Sequence, residues 1–247
     1  MKMNRQIERF ANALELQRAA AVSIVRFLNE AIIARGVASI ALSGGSTPKA
    51  IYELLGAEPL RSQLDWKTVH VFWGDERCVP QTHADSNYRM TNEALLQKIS
   101  IPQENVHRIQ AERSPNEAAE LYSEEIKKFF GSKENEFPRF DVMLLGVGED
   151  GHTASLFPET KILNETKRFV AEVFVSRFNA YRISMTFPVI NNSRVIMFLV
   201  SGTSKAKILR DVLEGEPNRY PAQRIDPTNG TLHWLVDEAA ALHLQNI

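Results

Sequence analysis

Short apolar runs of strand length recur along this chain, and most of them end at a glycine-rich or polar turn that leads into a segment of helical spacing. The clearest run is 37–42, followed by Ser43-Gly44-Gly45-Ser46-Thr47-Pro48 and a helix to about residue 55. Residues 68–73 run into Gly74-Asp75-Glu76-Arg77, 140–145 into Gly146-Val147-Gly148-Glu149-Asp150-Gly151-His152, and 194–200 into Ser201-Gly202-Thr203-Ser204-Lys205. Strand-then-helix order predicts a mostly parallel sheet flanked by helices: a three-layer α/β/α, Rossmann-like fold. In such sheets a ligand sits beyond the carboxyl ends of the strands. The segments 43–48, 74–77, 146–153 and 201–205 all leave strands at those ends, so they are expected to converge on one crevice.

Other elements follow from periodicity. Apolar positions Phe10, Leu14, Ala21, Ile24, Val25, Leu28 and Ile32 predict one long helix over 5–34. Further helices are expected at 87–98, 116–130, 203–213 and after a last strand at 232–236; a short strand is expected at 106–109 and a hairpin from 169–175 and 181–187. No repeat or linker divides the chain, and 247 residues suit one α/β domain spanning 1–247.

With 29 basic against 30 acidic residues the formal charge is −1, so no overall field favours nucleic acid or an anionic membrane, and any anion site must be local. The longest apolar run, 195–200, is too short to span a bilayer, and the first twenty residues do not read as a signal peptide. A single cysteine, Cys78, fits a reducing compartment; the neighbouring Arg77 could lower its pKa, but inert packing is the expected role. The chain is expected to be cytoplasmic, a monomer or small homo-oligomer.

The loop 43–48 offers free N–H groups and a helix dipole to a phosphate or carboxylate, with Ser46 or Thr47 able to cap and Pro48 suited to the first turn. It is neither a nucleotide P-loop nor a dinucleotide fingerprint. Lys205 in the first turn of a helix opposes the dipole, a cost that a bound anion offsets. Arg77 and Arg182 could clamp a phosphate through paired hydrogen bonds. His152 follows a buried strand and three glycines; it can take a proton at neutral pH, with Asp150 or Glu149 to orient it and loop amides such as that of Gly148 to face an oxyanion. A histidine that merely caps the next helix is the bland alternative. No HExxH spacing, other metal-ligand spacing or GxSxG elbow occurs, and His70 reads as structural.

Taken together, ALSGGSTPKAIYELL, VFWGDERCVP with DSNYRM, FDVMLLGVGEDGHTASLFP, RISMTFPVINNSR and VSGTSKAKIL resemble the 6-phosphogluconolactonase family across nearly the whole chain. The resemblance implies a sugar-phosphate isomerase/deaminase-like fold, hydrolysis of 6-phospho-D-glucono-1,5-lactone in the oxidative pentose phosphate pathway, and no metal or organic cofactor. It implies His152 as the base that activates water, Asp150 as its orienting group, and Arg77 and Lys205 as phosphate ligands beside the 44–47 loop. Related glucosamine-6-phosphate deaminases share the glycine loop, Asp75 and Asp150-Gly151-His152, but carry a proton-relaying glutamate where this chain has Phe157. Phenylalanine cannot relay a proton, which favours the lactonase. A deaminase–isomerase and a non-catalytic sugar-phosphate sensor remain the alternatives.

Overall fold

A computed structural model describes residues 5–133 and 136–245. The elements in order are β1 (Arg5–Phe10), α1 (Ala13–Arg35), β2 (Ala38–Leu42), α2 (Ser46–Leu55), β3 (Val69–Trp73), β4 (Asp75–Arg77), α3 (Asn87–Ala94), α4 (Pro115–Phe130), β5 (Val142–Leu145), β6 (Val170–Val175), β7 (Ala180–Met185), α5 (Phe187–Asn191), β8 (Val195–Val200), α6 (Ala206–Glu214) and β9 (Thr231–Asp237), with short 3-10 turns between them. Six strands form one sheet in the order β1-β9-β8-β5-β2-β3, with every pairing parallel. Strands β2 and β5 are buried at every residue, as expected for strands covered on both faces. Adjacent residues of β3 show this: Phe72 packs on the rings of Tyr122, Phe129 and Phe130 of α4, whereas Trp73 donates its indole N–H to Thr91 of α3.

The long helix expected over 5–34 is two elements. Residues 5–10 form an edge strand on β9, a partner more than 200 residues away, and the helix begins only after Asn12. The Asn12 side chain accepts from the Glu15 N–H at 3.0 Å, and the Glu15 carboxylate accepts from the Ala11 N–H at 3.3 Å, a reciprocal N-terminal box that stops the helix from extending backwards. The helix expected to follow β9 is instead a series of turns among the described residues, the first of them held by the Asp237 carboxylate, which accepts from the Ala240 N–H at 2.7 Å. The strand expected at 106–109 reduces to a single bridge between Val71 and Val106. The helix expected over 87–98 ends at Ala94 and continues as a 3-10 turn.

One feature not foreseen decides the site. Gly74 donates to the Leu42 carbonyl at 2.9 Å and accepts from Met185 at 2.8 Å, so the chain leaves the parallel sheet and enters a second one. There Asp75–Arg77, expected only as the polar segment that ends the 68–73 strand, pairs antiparallel with β7, the second arm of the β6–β7 hairpin. That small sheet lies beside the carboxyl ends of the main strands.

Candidate active site

A cavity of about 340 Å³ opens at those ends, lined by Ser43, Gly44 and Gly45 after β2, Asp75 and Arg77 of β4, Gly146 to Gly148 after β5, His152, Arg182 of β7 and Lys205 after β8, with Phe157 and Phe178 on one wall. The four strand-end segments thus meet in one place. Cavities of about 560 and 570 Å³ lie along α4 and beside the hairpin, but they contain no histidine, cysteine or glycine turn.

The cationic side is set by strand register. Arg77 and Arg182 are direct partners across β4 and β7. Like charges facing each other across a ladder repel, and among the described residues neither guanidinium, nor Lys205, has a carboxylate ion-pair partner. Arg77 spends one N–H on the Asp85 carbonyl at 2.5 Å, and the Nε atoms of both arginines are buried without a partner. Burial, followed by the charge of Arg77, lowers the pKa of Arg182 from its ordinary value. An anion between the two guanidiniums relieves both penalties.

Lys205 stands in the turn opened by Gly202, which is held by the Asp237 carboxylate through the Gly202 N–H and the Ser201 hydroxyl. At the glycine loop, Gly45 has φ +112°, a left-handed value that favours glycine, and it caps α2 with no side-chain hydrogen bond. Ser46 and Thr47 therefore do not cap the helix as expected: they form its first turn and do not line the cavity. Their backbone N–H groups leave that helix end open to an anion.

Asp75 turns one carboxylate oxygen to the Ser155 hydroxyl at 2.6 Å. Its neighbour Glu76, which the sequence reading passed over, is buried and accepts from the N–H groups of Arg77, Asn87 and Tyr88 and from the Ser86 hydroxyl. It clamps the start of α3 to β4, and burial raises its pKa. Cys78 is not activated: burial outweighs the nearby Arg182 and pushes its thiol up to about 11.

At the other side, Nδ1 of His152 is hydrogen-bonded to the Asp150 carboxylate. Burial disfavours the charged form of Asp150, but the hydrogen bond to His152, its charge and that of Arg177 prevail and hold the carboxyl at about 2. An ionised carboxylate only accepts, so Nδ1 carries the proton of the neutral ring and Nε2 keeps its lone pair. The contribution of Asp150 to stability is complete above the ordinary carboxylate range and is lost as pH falls towards 2. Phe157 stacks on the imidazole at 4.1 Å between centroids.

Gly148 serves a purpose different from the one expected. Its N–H donates to the His152 carbonyl at 2.9 Å, so it closes the loop instead of facing an oxyanion. A Cβ there lies 2.0 Å from Nδ1 and Cε1 of His152. Gly148→Ala must therefore displace the ring, and an error of about 1 Å can cost on the order of 10² in rate. The expected result is a loss of that size in kcat with cooperative unfolding retained, checked by turnover and thermal melting. Among the described residues, no group of three His, Cys, Asp or Glu side chains is placed to hold a metal ion, and no helix is long and apolar enough to cross a membrane.

Residues 11–234 match the family described as glucosamine-6-phosphate isomerases/6-phosphogluconolactonase. The chain is 41% identical over 243 residues to a 6-phosphogluconolactonase of Synechocystis sp., covering 97% of this chain and 98% of that one. The solved 6-phosphogluconolactonase of Trypanosoma cruzi superposes with a TM-score of 0.88 at 30% identity, covering 99% and 98% of the two chains. A monomeric glucosamine-6-phosphate deaminase shares the fold, with a TM-score of 0.79 at 20% identity over 96% of this chain and 99% of that one.

Proposed function

This chain belongs to the glucosamine-6-phosphate isomerase/6-phosphogluconolactonase family, and on that premise we propose that it hydrolyses 6-phospho-D-glucono-1,5-lactone to 6-phospho-D-gluconate in the oxidative pentose phosphate pathway, with His152 activating the water. One observation carries the reading: a single cavity joins three cations that lack carboxylate partners among the described residues to an imidazole whose Nδ1 is held by an ionised carboxylate.

The 6-phosphate docks between Arg77, Arg182 and Lys205, against the open amide end of α2 at Gly44 and Gly45. That grip sets the lactone carbonyl near His152. Nε2 takes a proton from water as its oxygen bonds to C1, and the carbonyl electrons move to oxygen, facing the amides of the cavity wall other than that of Gly148. Asp150 stabilises the imidazolium so formed. As the tetrahedral intermediate collapses, the bond from C1 to the ring oxygen breaks and the imidazolium returns its proton to that oxygen. One base and a set of fixed donors suffice for an activated ester. Phe157 occupies the position where the deaminases' motif has its glutamate, and its ring offers no proton route. The enzyme is expected to act in the cytoplasm, as a monomer or small homo-oligomer, with no nucleic acid or membrane partner.

The test is hydrolysis of enzymatically generated lactone, corrected for the spontaneous background, alongside ammonia release from glucosamine-6-phosphate. Rapid hydrolysis without ammonia is expected. Ammonia release would reassign the chain to the deaminases, and binding without either reaction would mark a sensor.

A further inference from the structure

Arg177 does not line the cavity, and the reaction as derived does not use it. It sits in the turn of the β6–β7 hairpin, a 3-10 turn over Ser176–Phe178 closed by Asn179 in the left-handed region. One terminal nitrogen of its guanidinium forms an ion pair with Asp150 Oδ2 at 2.7 Å, the oxygen not engaged by Nδ1 of His152. The guanidinium also lies over two rings, 5.2 Å from the Phe157 centroid and 4.4 Å from that of Phe178. Phe157 in turn stacks on His152. Arg177, Asp150, His152 and Phe157 therefore form a closed circuit of contacts around the base.

We propose that Arg177 is a positioning residue for the hydrolysis: from the hairpin tip it fixes the orientation of the Asp150–His152 pair and tempers the charge of Asp150. The proposal rests on the reading of His152 as the base.

A carboxylate with no other partner gives its whole charge to a neighbouring imidazolium. With a guanidinium on its second oxygen that charge is shared, and the guanidinium repels the imidazolium directly. Both effects weaken the pull of the Asp150 carboxylate on a charged ring, and catalysis begins from the ring's lone-pair form. Among the described residues, the other charged groups that line the cavity with the ring are Asp75 and Arg77 of β4, Arg182 of β7 and Lys205 after β8. The three cations act in the same direction as Arg177 and Asp75 against it, and all four are unaltered in an Arg177 variant.

The measurement is the pH profile of kcat/KM and of kcat for Arg177→Met, which keeps an apolar stem over the phenyl rings, and for Arg177→Lys, which keeps the charge. For Arg177→Met the acid limb should move up by about half a unit to one unit, with KM changed by less than about twofold because Arg177 does not touch the cavity. Arg177→Lys should restore the wild-type limb. A residue that only pins the hairpin would lower the plateau equally in both variants and leave the limb in place, and that result would overturn the proposal. His152→Ala, assayed in parallel, separates the two levels. Full turnover in that variant would remove the base and this proposal with it; an inactive His152→Ala beside an unmoved limb in Arg177→Met would remove only the role of Arg177.

Discussion

His152→Ala should lower kcat by about 10²–10⁴-fold, the usual contribution of a positioned general base, while KM moves only a few-fold. The split follows from the geometry. The proposed phosphate grip comes from β4, β7, the glycine loop and the turn after β8, which line the same cavity as the imidazole. The ring itself is held by Asp150 and by the face of Phe157. Removing it leaves the substrate bound and the water unactivated. His152→Gln tests the same point with a side chain that still donates a hydrogen bond but cannot accept a proton as imidazole does. It should be as slow as alanine. A lactonase assay over the spontaneous background, combined with competitive inhibition by 6-phosphogluconate, separates turnover from binding. A kcat within about threefold of the wild type in either variant would remove the base from the mechanism.

Loss of one arginine should act in the opposite sense. A charge-assisted hydrogen bond contributes about 1.5–3 kcal/mol, so Arg77→Met or Arg182→Met should raise KM by about 10- to 100-fold, with a smaller fall in kcat. The two guanidiniums face each other across a ladder without carboxylate partners among the described residues, so each substitution also removes a repulsion from the unliganded protein. Thermal stability should therefore hold or rise in Arg182→Met as substrate affinity falls, whereas Arg77→Met also gives up the hydrogen bond to the Asp85 carbonyl and gains less. A variant that lost affinity because it misfolded would show the reverse, with a depressed melting temperature and scattered kinetics. Inorganic phosphate should raise the melting temperature of the wild type and do so less in either variant.

Much of this site was legible before the fold. Loops that leave buried parallel strands must gather at one end of the sheet, so a reader who finds the strands has found the crevice. That logic placed Gly44, Gly45, Arg77, His152 and Lys205 on one cavity. Local spacing could not supply what depends on distant partners. Residues 5–10 look helical in isolation and become a strand because β9 offers an open edge; only the Asn12–Glu15 box marked the true start of the helix. Asp75–Arg77 is too short to announce itself as a strand, yet its pairing with β7 is what sets Arg77 beside Arg182. Gly148 was legible as a glycine that mattered, but its reason, the closeness of the imidazole, exists only in three dimensions. Arg177 carries no motif at all. Its meaning comes from a hairpin turn that brings it to Asp150, 27 positions earlier in the chain.

The central claim is that one small sugar ester spans the cavity, gripped by cations at one end and attacked beside the imidazole at the other. A crystal structure of the protein soaked with 6-phosphogluconate tests it most directly. The account predicts phosphate oxygens within hydrogen-bond distance of Arg77, Arg182 and Lys205, with the C1 carboxylate next to Nε2 of His152. A product bound the other way round, with its phosphate on His152, or lodged in another cavity with this one empty, would contradict it.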